Sequence, residues 1–202
     1  MRIAVIDYGS GNIRSVAKAL ERIGAKVEVF GVPFDLSNFD KFVLPGVGAF
    51  GDTVKELRSR GLWDLVKEIV FTNRPYLGIC LGMQILCRGS EESLGYDGLG
   101  FFDIDVKRFR ADRRHKVPHM GWNQVWHNGD NIFSNISSGE YFYFCHSYYV
   151  PVEVGEEFVV GRTDYTVTYA SAIRKGNVIG VQFHPEKSQS LGLRLLKNFV
   201  SL

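Results

Sequence analysis

The chain is short of several things, and each shortage rules something out. Its 202 residues include only three cysteines, Cys80, Cys87 and Cys145. Three scattered thiols build neither a disulfide framework nor a zinc site, so no metal and no cofactor are expected. No apolar run reaches the length of about 18 residues that spans a bilayer, and no leader-like opening is present. A reducing cytoplasm is therefore the expected compartment. Charge of either sign is also scarce as a surplus: 24 Lys and Arg against 22 Asp and Glu leave +2, with no basic stripe of the kind nucleic acid selects. The one basic run, Lys107 to Lys116, reads as a solvated loop, or more sharply as a docking surface or phosphate contact. Repeats, low-complexity tracts and linkers are missing as well. With 45% hydrophobic and 23% charged residues, the chain has the composition of an ordinary globular protein, and its size suits one domain spanning 1–202.

What is there alternates. Ile3–Asp7 is an apolar strand, and Asn12–Ile23 carries Ile13, Val16, Ala17, Leu20 and Ile23 at helical spacing before Gly24. Strands are expected at Lys26–Phe30, Lys41–Pro45 and Tyr76–Ile79, with helices at Thr53–Arg60 and Leu62–Phe71. That rhythm predicts an α/β fold with a mostly parallel central sheet flanked by helices. The second half changes character, with aromatic-rich strands expected at Phe101–Phe109, Trp122–Trp126, Tyr141–Val150, Glu157–Gly161 and Thr166–Ile173. Gly176-Asn177 signals a hairpin into Val178–Phe183. These make an antiparallel extension of the sheet, and a last helix from about Ser188 closes the chain.

The chemistry gathers at Cys80. In Gly78-Ile-Cys80-Leu-Gly82-Met-Gln84 an apolar strand enters a cysteine flanked by glycines, with a helix-like segment behind it. This is the frame of a nucleophile elbow, which would hold the thiol in the open and aim it at a helix N-terminus that favours the thiolate. Cys87 and Cys145 lack the frame and read as small hydrophobes. A base is offered by His184-Pro185-Glu186. In an extended stretch residues i and i+2 share a side, so Glu186 would orient His184 and support its imidazolium. The plain alternative, a strand-end histidine beside a surface glutamate, loses ground once the elbow is in the same chain. Leu44-Pro-Gly46-Val47-Gly48-Ala-Phe-Gly51-Asp52 follows a strand; it is a turn into a helix capped near Asp52, and also a candidate oxyanion hole at Val47 and Gly48 joined by the N–H of Leu81. It lacks the Gly-Lys-Ser/Thr ending of a phosphate loop. Gly9-Ser-Gly11-Asn12 is only a weak dinucleotide fingerprint, without the third glycine in register.

The elbow, the Pro45-Gly46-Val47-Gly48 loop and the His184-Pro185-Glu186 ending together resemble the class I glutamine amidotransferases. Pro118-His119-Met120-Gly121-Trp122-Asn123, Tyr143-Phe-Cys-His146-Ser147-Tyr148 and His184-Pro-Glu-Lys187-Ser188 are similar to the glutaminase subunits of imidazole glycerol phosphate synthase, over essentially the whole chain. The resemblance implies a Cys80–His184–Glu186 triad that hydrolyses glutamine. It also implies substrate contacts from Gly48, Gln84, Glu92, Ser147 and Tyr148. Of these, Gln84 has independent support, lying one helical turn past Cys80. The implied partner is a (β/α)₈-barrel cyclase subunit in a heterodimer, receiving the ammonia in histidine biosynthesis. Docking is expected through Pro118, His119, Met120, Trp122, Asn123 and Lys187, with core packing as the alternative for Trp122. The competing functions are a glutaminase subunit of another synthase, a cysteine peptidase or γ-glutamyl hydrolase, and a non-catalytic binding subunit. The Pro118–Asn123 stretch, the Met83-Gln84 pair and the intact triad argue against them in turn.

Overall fold

The computed structural model describes residues 1–202. In chain order the elements are β1 (Arg2–Ile6), α1 (Ile13–Arg22), β2 (Lys26–Phe30), β3 (Lys41–Gly46), α2 (Phe50–Ser59), α3 (Leu62–Phe71), β4 (Tyr76–Cys80), α4 (Leu81–Gln84) and β5 (Cys87–Ser90). There follow β6 (Phe102–Arg108), β7 (His119–His127), β8 (Glu140–His146), β9 (Tyr148–Pro151), β10 (Val159–Asp164), β11 (Thr168–Lys175), β12 (Val178–Val181) and α5 (Gln189–Ser201). One sheet runs β2-β1-β3-β4-β12-β11-β10-β7-β8, and β5, β6 and β9 branch from β11. From β2 to β12 the pairing is parallel, and from β12 to β8 it is antiparallel. The expected parallel sheet with its antiparallel extension is therefore present. No helix is long and apolar enough to cross a membrane.

Strand periodicity explains the layering. Ala4, Ile6, Phe42 and Leu44 point into one core with Val54 and Leu57 of α2 and Leu65, Val66 and Ile69 of α3. Their neighbours Ile3, Val5 and Val43 point into the other, with Val16 and Leu20 of α1 and Leu195, Leu196 and Phe199 of α5. Two apolar faces on each central strand require helices on both sides. The sheet then delivers the carboxyl ends of β3, β4 and β12 to one rim, with Gly46 paired directly to Cys80.

Several elements differ from expectation. The α2 helix begins at Phe50, three residues earlier than its own sequence indicated, because its first N–H groups are capped from a distance: Phe50 N donates to Glu92 Oε2 at 2.7 Å and Gly51 N to Ser93 Oγ at 2.9 Å. The segment behind Cys80 is a single helical turn before β5, a strand that the sequence did not signal. Tyr141–Val150 is two strands broken at Ser147, since β8 pairs with β7 while β9 crosses to β6 and β11. The β7 strand starts at His119, so the expected docking stretch is itself part of the sheet.

Gly78 and Gly82 are fixed by backbone contact rather than by left-handed dihedrals. A Cβ on Gly82 would drive into the carbonyl oxygen of Leu44, and one on Gly78 into that of Gly82. Replacing Gly82 with alanine should therefore cost at least about 1–3 kcal/mol, the usual penalty of overpacking. The matched change Gly11→Ala, where an added Cβ meets nothing within 4 Å, should stay within about 0.5 kcal/mol. Urea unfolding of the two variants checks this, and equal stabilities would contradict it.

Candidate active site

The backbone at Cys80 is left-handed, with φ 55° and ψ −105°. Only a surrounding structure that over-determines it can hold a non-glycine residue there, at a cost of roughly 1–3 kcal/mol. The over-determination comes from the glycine contacts between β3, β4 and α4. The elbow expected from sequence is thus present, with two corrections. The thiol is not in the open: Cys80 is 4% exposed, closed over by the polar groups behind it. And α4 is one turn long, too short to bring much of a helix dipole to the sulfur.

Behind Cys80 lie His184 and Glu186, whose side chains are both fully buried. His184 Nδ1 meets Glu186 Oε1 at 2.9 Å. The geometry that joins them is a 3₁₀ turn over Pro185–Lys187 rather than an extended strand. His184 is pinned through its backbone, its N–H donating to Tyr143 O at 2.8 Å and its carbonyl accepting from Ser188 Oγ at 2.7 Å. Its Nε2 has no hydrogen-bond partner, although the thiol is near enough for their charges to couple. Such a gap between base and nucleophile is common before substrate arrives. Burial pulls the imidazole pKa down, but the facing Cys80 thiolate and Glu186 carboxylate outweigh it and the net shift is upward. For Glu186 burial pushes up, and the His184 and Asn12 contacts more than reverse it, so its carboxyl is held down. His184 and Glu186 therefore form a close, mutually stabilising pair.

In front of Cys80 a pocket of about 250 Å³ is lined by Val47, Gly48, Cys80, Leu81, Gln84, Glu92, Pro118, Cys145, His146, Ser147 and Tyr148. It thus gathers every residue expected in the oxyanion hole and in substrate contact. Its size is below the roughly 300–1,000 Å³ of drug-sized sites, which suits a ligand as small as one amino acid. Gly48 has φ 116° with open space where a Cβ would stand, so its backbone needs glycine while its pocket face stays free. Gln84 Oε1 is buried at the pocket wall and has no hydrogen-bond partner. Glu92 lines the same pocket while capping α2, and burial pushes its carboxyl pKa up. The carbonyls of Ser147 and Tyr148 are already engaged, by Phe109 N for one and by His146 and Gln84 for the other, so any ligand contact there falls to other atoms.

The sequence did not single out Tyr8, Gln182 or the polar chain behind the pocket. The Tyr8 hydroxyl sits where a Gly46 side chain would be, at the start of the Val47–Gly48 loop; burial pushes its pKa up to about 12. Gln182 Nε2 points at Cys80 Sγ at 3.5 Å while its Oε1 accepts from Gln84 Nε2 at 3.0 Å. Gln84 Nε2 also donates to Tyr148 O, which accepts from His146 Nδ1 at 2.7 Å. His146 Nε2 is then an acceptor and lies 3.2 Å from His119 Nδ1, while Asn123 Nδ2 stands 3.3 Å from His119 Nε2. Burial lowers the pKa of His119 to about 4 and of His146 to about 3, so both rings are neutral. A hydrogen-bonded path therefore runs from β7 to the sulfur. A spacing of two before His184 was the only signal for Gln182.

The predicted docking residues divide by strand alternation. Met120 and Trp122 stand 62% and 46% exposed on one face of β7, across from Cys145 and Tyr143 on β8, and Lys187 lies over the Tyr143 ring. His119 is on the other face, 3% exposed, and does not belong to this surface. Pro118 lines the pocket. The basic run 107–116 ends β6 and then turns, its Asp112 tied to Arg114 N, His115 N and the His115 ring. Lys107, Arg108 and Arg110 edge a separate cleft there.

The glutamine amidotransferase class-I family model matches residues 4–202. The imidazole glycerol phosphate synthase subunit HisH of Acinetobacter baylyi is 46% identical over 201 residues, covering 98% of this chain and 97% of its own. That of Bacteroides fragilis is 47% identical over 204 residues and covers 100% of both, and that of Moorella thermoacetica is 48% identical over 201 residues, covering 99% and 94%. Among solved structures, a glutamine amidotransferase aligns with a TM-score of 0.76 at 21% identity over 98% and 97% of the two chains. PurLQS from Thermotoga maritima aligns with 0.76 at 22% over 99% and 97%. These structures share the fold.

The electrostatics predict a titration. The imidazole of His184 should titrate above the ordinary histidine range of about 6.5 and move down in Cys80→Ala, because removing the anion takes away a favourable partner and leaves the burial. Histidine NMR across pH measures it; a titration unmoved by Cys80→Ala would contradict the coupling.

Proposed function

The chain belongs to the class I glutamine amidotransferase family and is the glutaminase subunit of an imidazole glycerol phosphate synthase, and we propose that Cys80, His184 and Glu186 carry its glutamine hydrolysis. Glutamine enters the pocket with its ammonium toward Gln84 Oε1 and Glu92. Cys80 Sγ attacks the γ-amide carbon, and His184 takes the thiol proton. The tetrahedral oxyanion is met by backbone N–H groups of Val47 or Gly48 and of Leu81. The C–N bond then breaks as His184 passes its proton to the departing nitrogen, giving ammonia. Water adds to the thioester with His184 as base and releases glutamate. Glu186 keeps the imidazole in one tautomer and supports its charge throughout. The observation that carries the reading is the left-handed Cys80 between the buried His184–Glu186 pair and an amino-acid-sized pocket. A peptidase would need a cleft open to extended chain, and a mere binding subunit would have no use for a strained thiol.

The subunit works in complex with a partner. We take that partner to be a (β/α)₈-barrel cyclase that uses the ammonia, docked on Met120, Trp122 and Lys187 in a heterodimer. A cluster of exposed apolar side chains such as Met120, Trp122, Trp126 and Tyr141 is the usual mark of a protein contact surface. The hydrogen-bonded path from Asn123 through His119, His146, the Tyr148 carbonyl, Gln84 and Gln182 to Cys80 supplies a physical route between that strand and the nucleophile. Free hydrolysis would waste glutamine, so the lone chain is a poor glutaminase. The Gly46-Val47-Gly48 peptide units turn to present an oxyanion donor when the partner and its ligand bind.

Glutamate release should be compared for the lone chain, for the chain with its cyclase, and for the pair with the cyclase's nucleotide ligand. One oxyanion donor corresponds to about a hundred- to a thousand-fold in rate, and a rise of that order is expected in the third sample, lost with Cys80→Ala. Full activity in the lone chain would refute the switch, and glutamate from the Cys80→Ala complex would refute the triad.

A further inference from the structure

We infer that Asn12, delivered by the Gly9–Gly11 turn, is a positioning residue for the triad, clamping the Glu186 carboxylate that orients His184. Its side chain is buried, and Nδ2 donates to Glu186 Oε1 at 2.5 Å, the same oxygen that His184 Nδ1 meets at 2.9 Å. The amide also lies 3.5 Å from His184 Nδ1. Its orientation is chemically determined, because a flipped amide would set an oxygen lone pair against the carboxylate. This contact joins residues 174 positions apart and ties the start of α1 to the turn that carries the base. The inference rests on the glutaminase reading of the triad and extends it to a residue outside the Cys-His-Glu set.

The local structure shows that this contact displaces an ordinary one. Asn12 is the N-cap of α1, where an asparagine side chain usually accepts from an N–H of the first turn. Here it makes no such bond; only its backbone carbonyl serves the helix, accepting from Ser15 N and Val16 N. The side chain is turned away from its own helix toward Glu186, and Glu186 Oε2 has no other partner. With one oxygen engaged by both donors and the other free, the amide of Asn12 fixes the position and plane in which the carboxylate meets the imidazole. It also keeps the carboxylate ionised by bonding to its charged form, so that Glu186 accepts the Nδ1 proton without taking it. The glycines explain the approach: Gly9 sits at φ 96° and turns the chain back under the rim at the end of β1, placing Asn12 beside the 3₁₀ turn.

The test uses the complex of this chain with its cyclase and the cyclase's ligand, measuring glutamate at varied glutamine. Asn12→Ala, and Asn12→Leu as a variant of matching branched shape without a donor, should lower kcat about 10- to 100-fold, the effect of one hydrogen bond to a charged group. KM for glutamine should stay within about twofold, because nothing that touches glutamine has changed. In a Glu186→Ala background Asn12→Ala should cost less than about threefold more, since a residue that acts through Glu186 has nothing left to hold. Wild-type kcat in Asn12→Leu, or losses that simply multiply in the double variant, would overturn the assignment. A wild-type complex that released no glutamate would instead fail the glutaminase reading. The downfield Nδ1–H proton of His184 would then decide this one: it should move upfield in Asn12→Ala, and an unmoved resonance would refute the clamp.

Discussion

Everything at the site depends on how closely three backbones approach at the rim of the sheet. Gly82 of α4 lies against the carbonyl of Leu44 in β3, and Gly78 of β4 against the carbonyl of Gly82 itself. No side chain fits between them. With α4 locked down at that distance, the chain has one way to pass from strand to helix, and it runs through a left-handed residue at position 80. The strain is stored in a cysteine rather than relieved by a glycine, which is the arrangement expected where conformation serves chemistry. The same contact sets Gly46 beside Cys80, so that the glycine-rich loop after β3 lines the same pocket as Cys80.

A second constraint is electrostatic. An imidazole and a carboxylate with no exposure to solvent are costly unless each satisfies the other. Here His184 and Glu186 do so at 2.9 Å, with Asn12 and Gln182 as neutral donors at either end. The array tolerates little rearrangement, since each member's hydrogen bonds depend on the others. The loop after β3 is freer, for Gly48 faces open space. The buried neutral pair His119 and His146 extends the same logic outward. They carry hydrogen bonds from β7 to the pocket wall without adding charge to the site.

Much of this was legible in the sequence. The continuous apolar runs of β1, β3 and β4 and the helical spacing in α1 and α3 follow from local pattern, and those elements stand where pattern put them. Cys80, His184 and Glu186 announced themselves because glycines and a proline bracket them. The parts that escaped are those set by distant contacts. The start of α2 is fixed by Glu92 and Ser93, some 42 residues away. The break at Ser147 depends on which strands compete for β8 and β9. Gln182 and Asn12 are unremarkable in their local sequence, and Asn12 lay in a stretch that resembles a weak nucleotide turn; their roles come from what the fold brings opposite them. The burial of Cys80 was likewise invisible, since an elbow pattern fixes the backbone but not the polar wall built behind it. His119 was expected on the docking surface together with its neighbours, and strand alternation turned it inward.

The central claim is that the thiol of Cys80 attacks the γ-carbonyl of a glutamine held in the 250 Å³ pocket. A chloroketone analogue of glutamine, which alkylates the sulfur that would attack the amide, tests it most directly when the ligand-bound complex is labelled and mapped by peptide mass spectrometry. The account predicts a single adduct on Cys80, suppressed by excess glutamine and absent after Cys80→Ser. An adduct on Cys145, which shares the pocket, or labelling of Cys80 that glutamine does not slow, would contradict it.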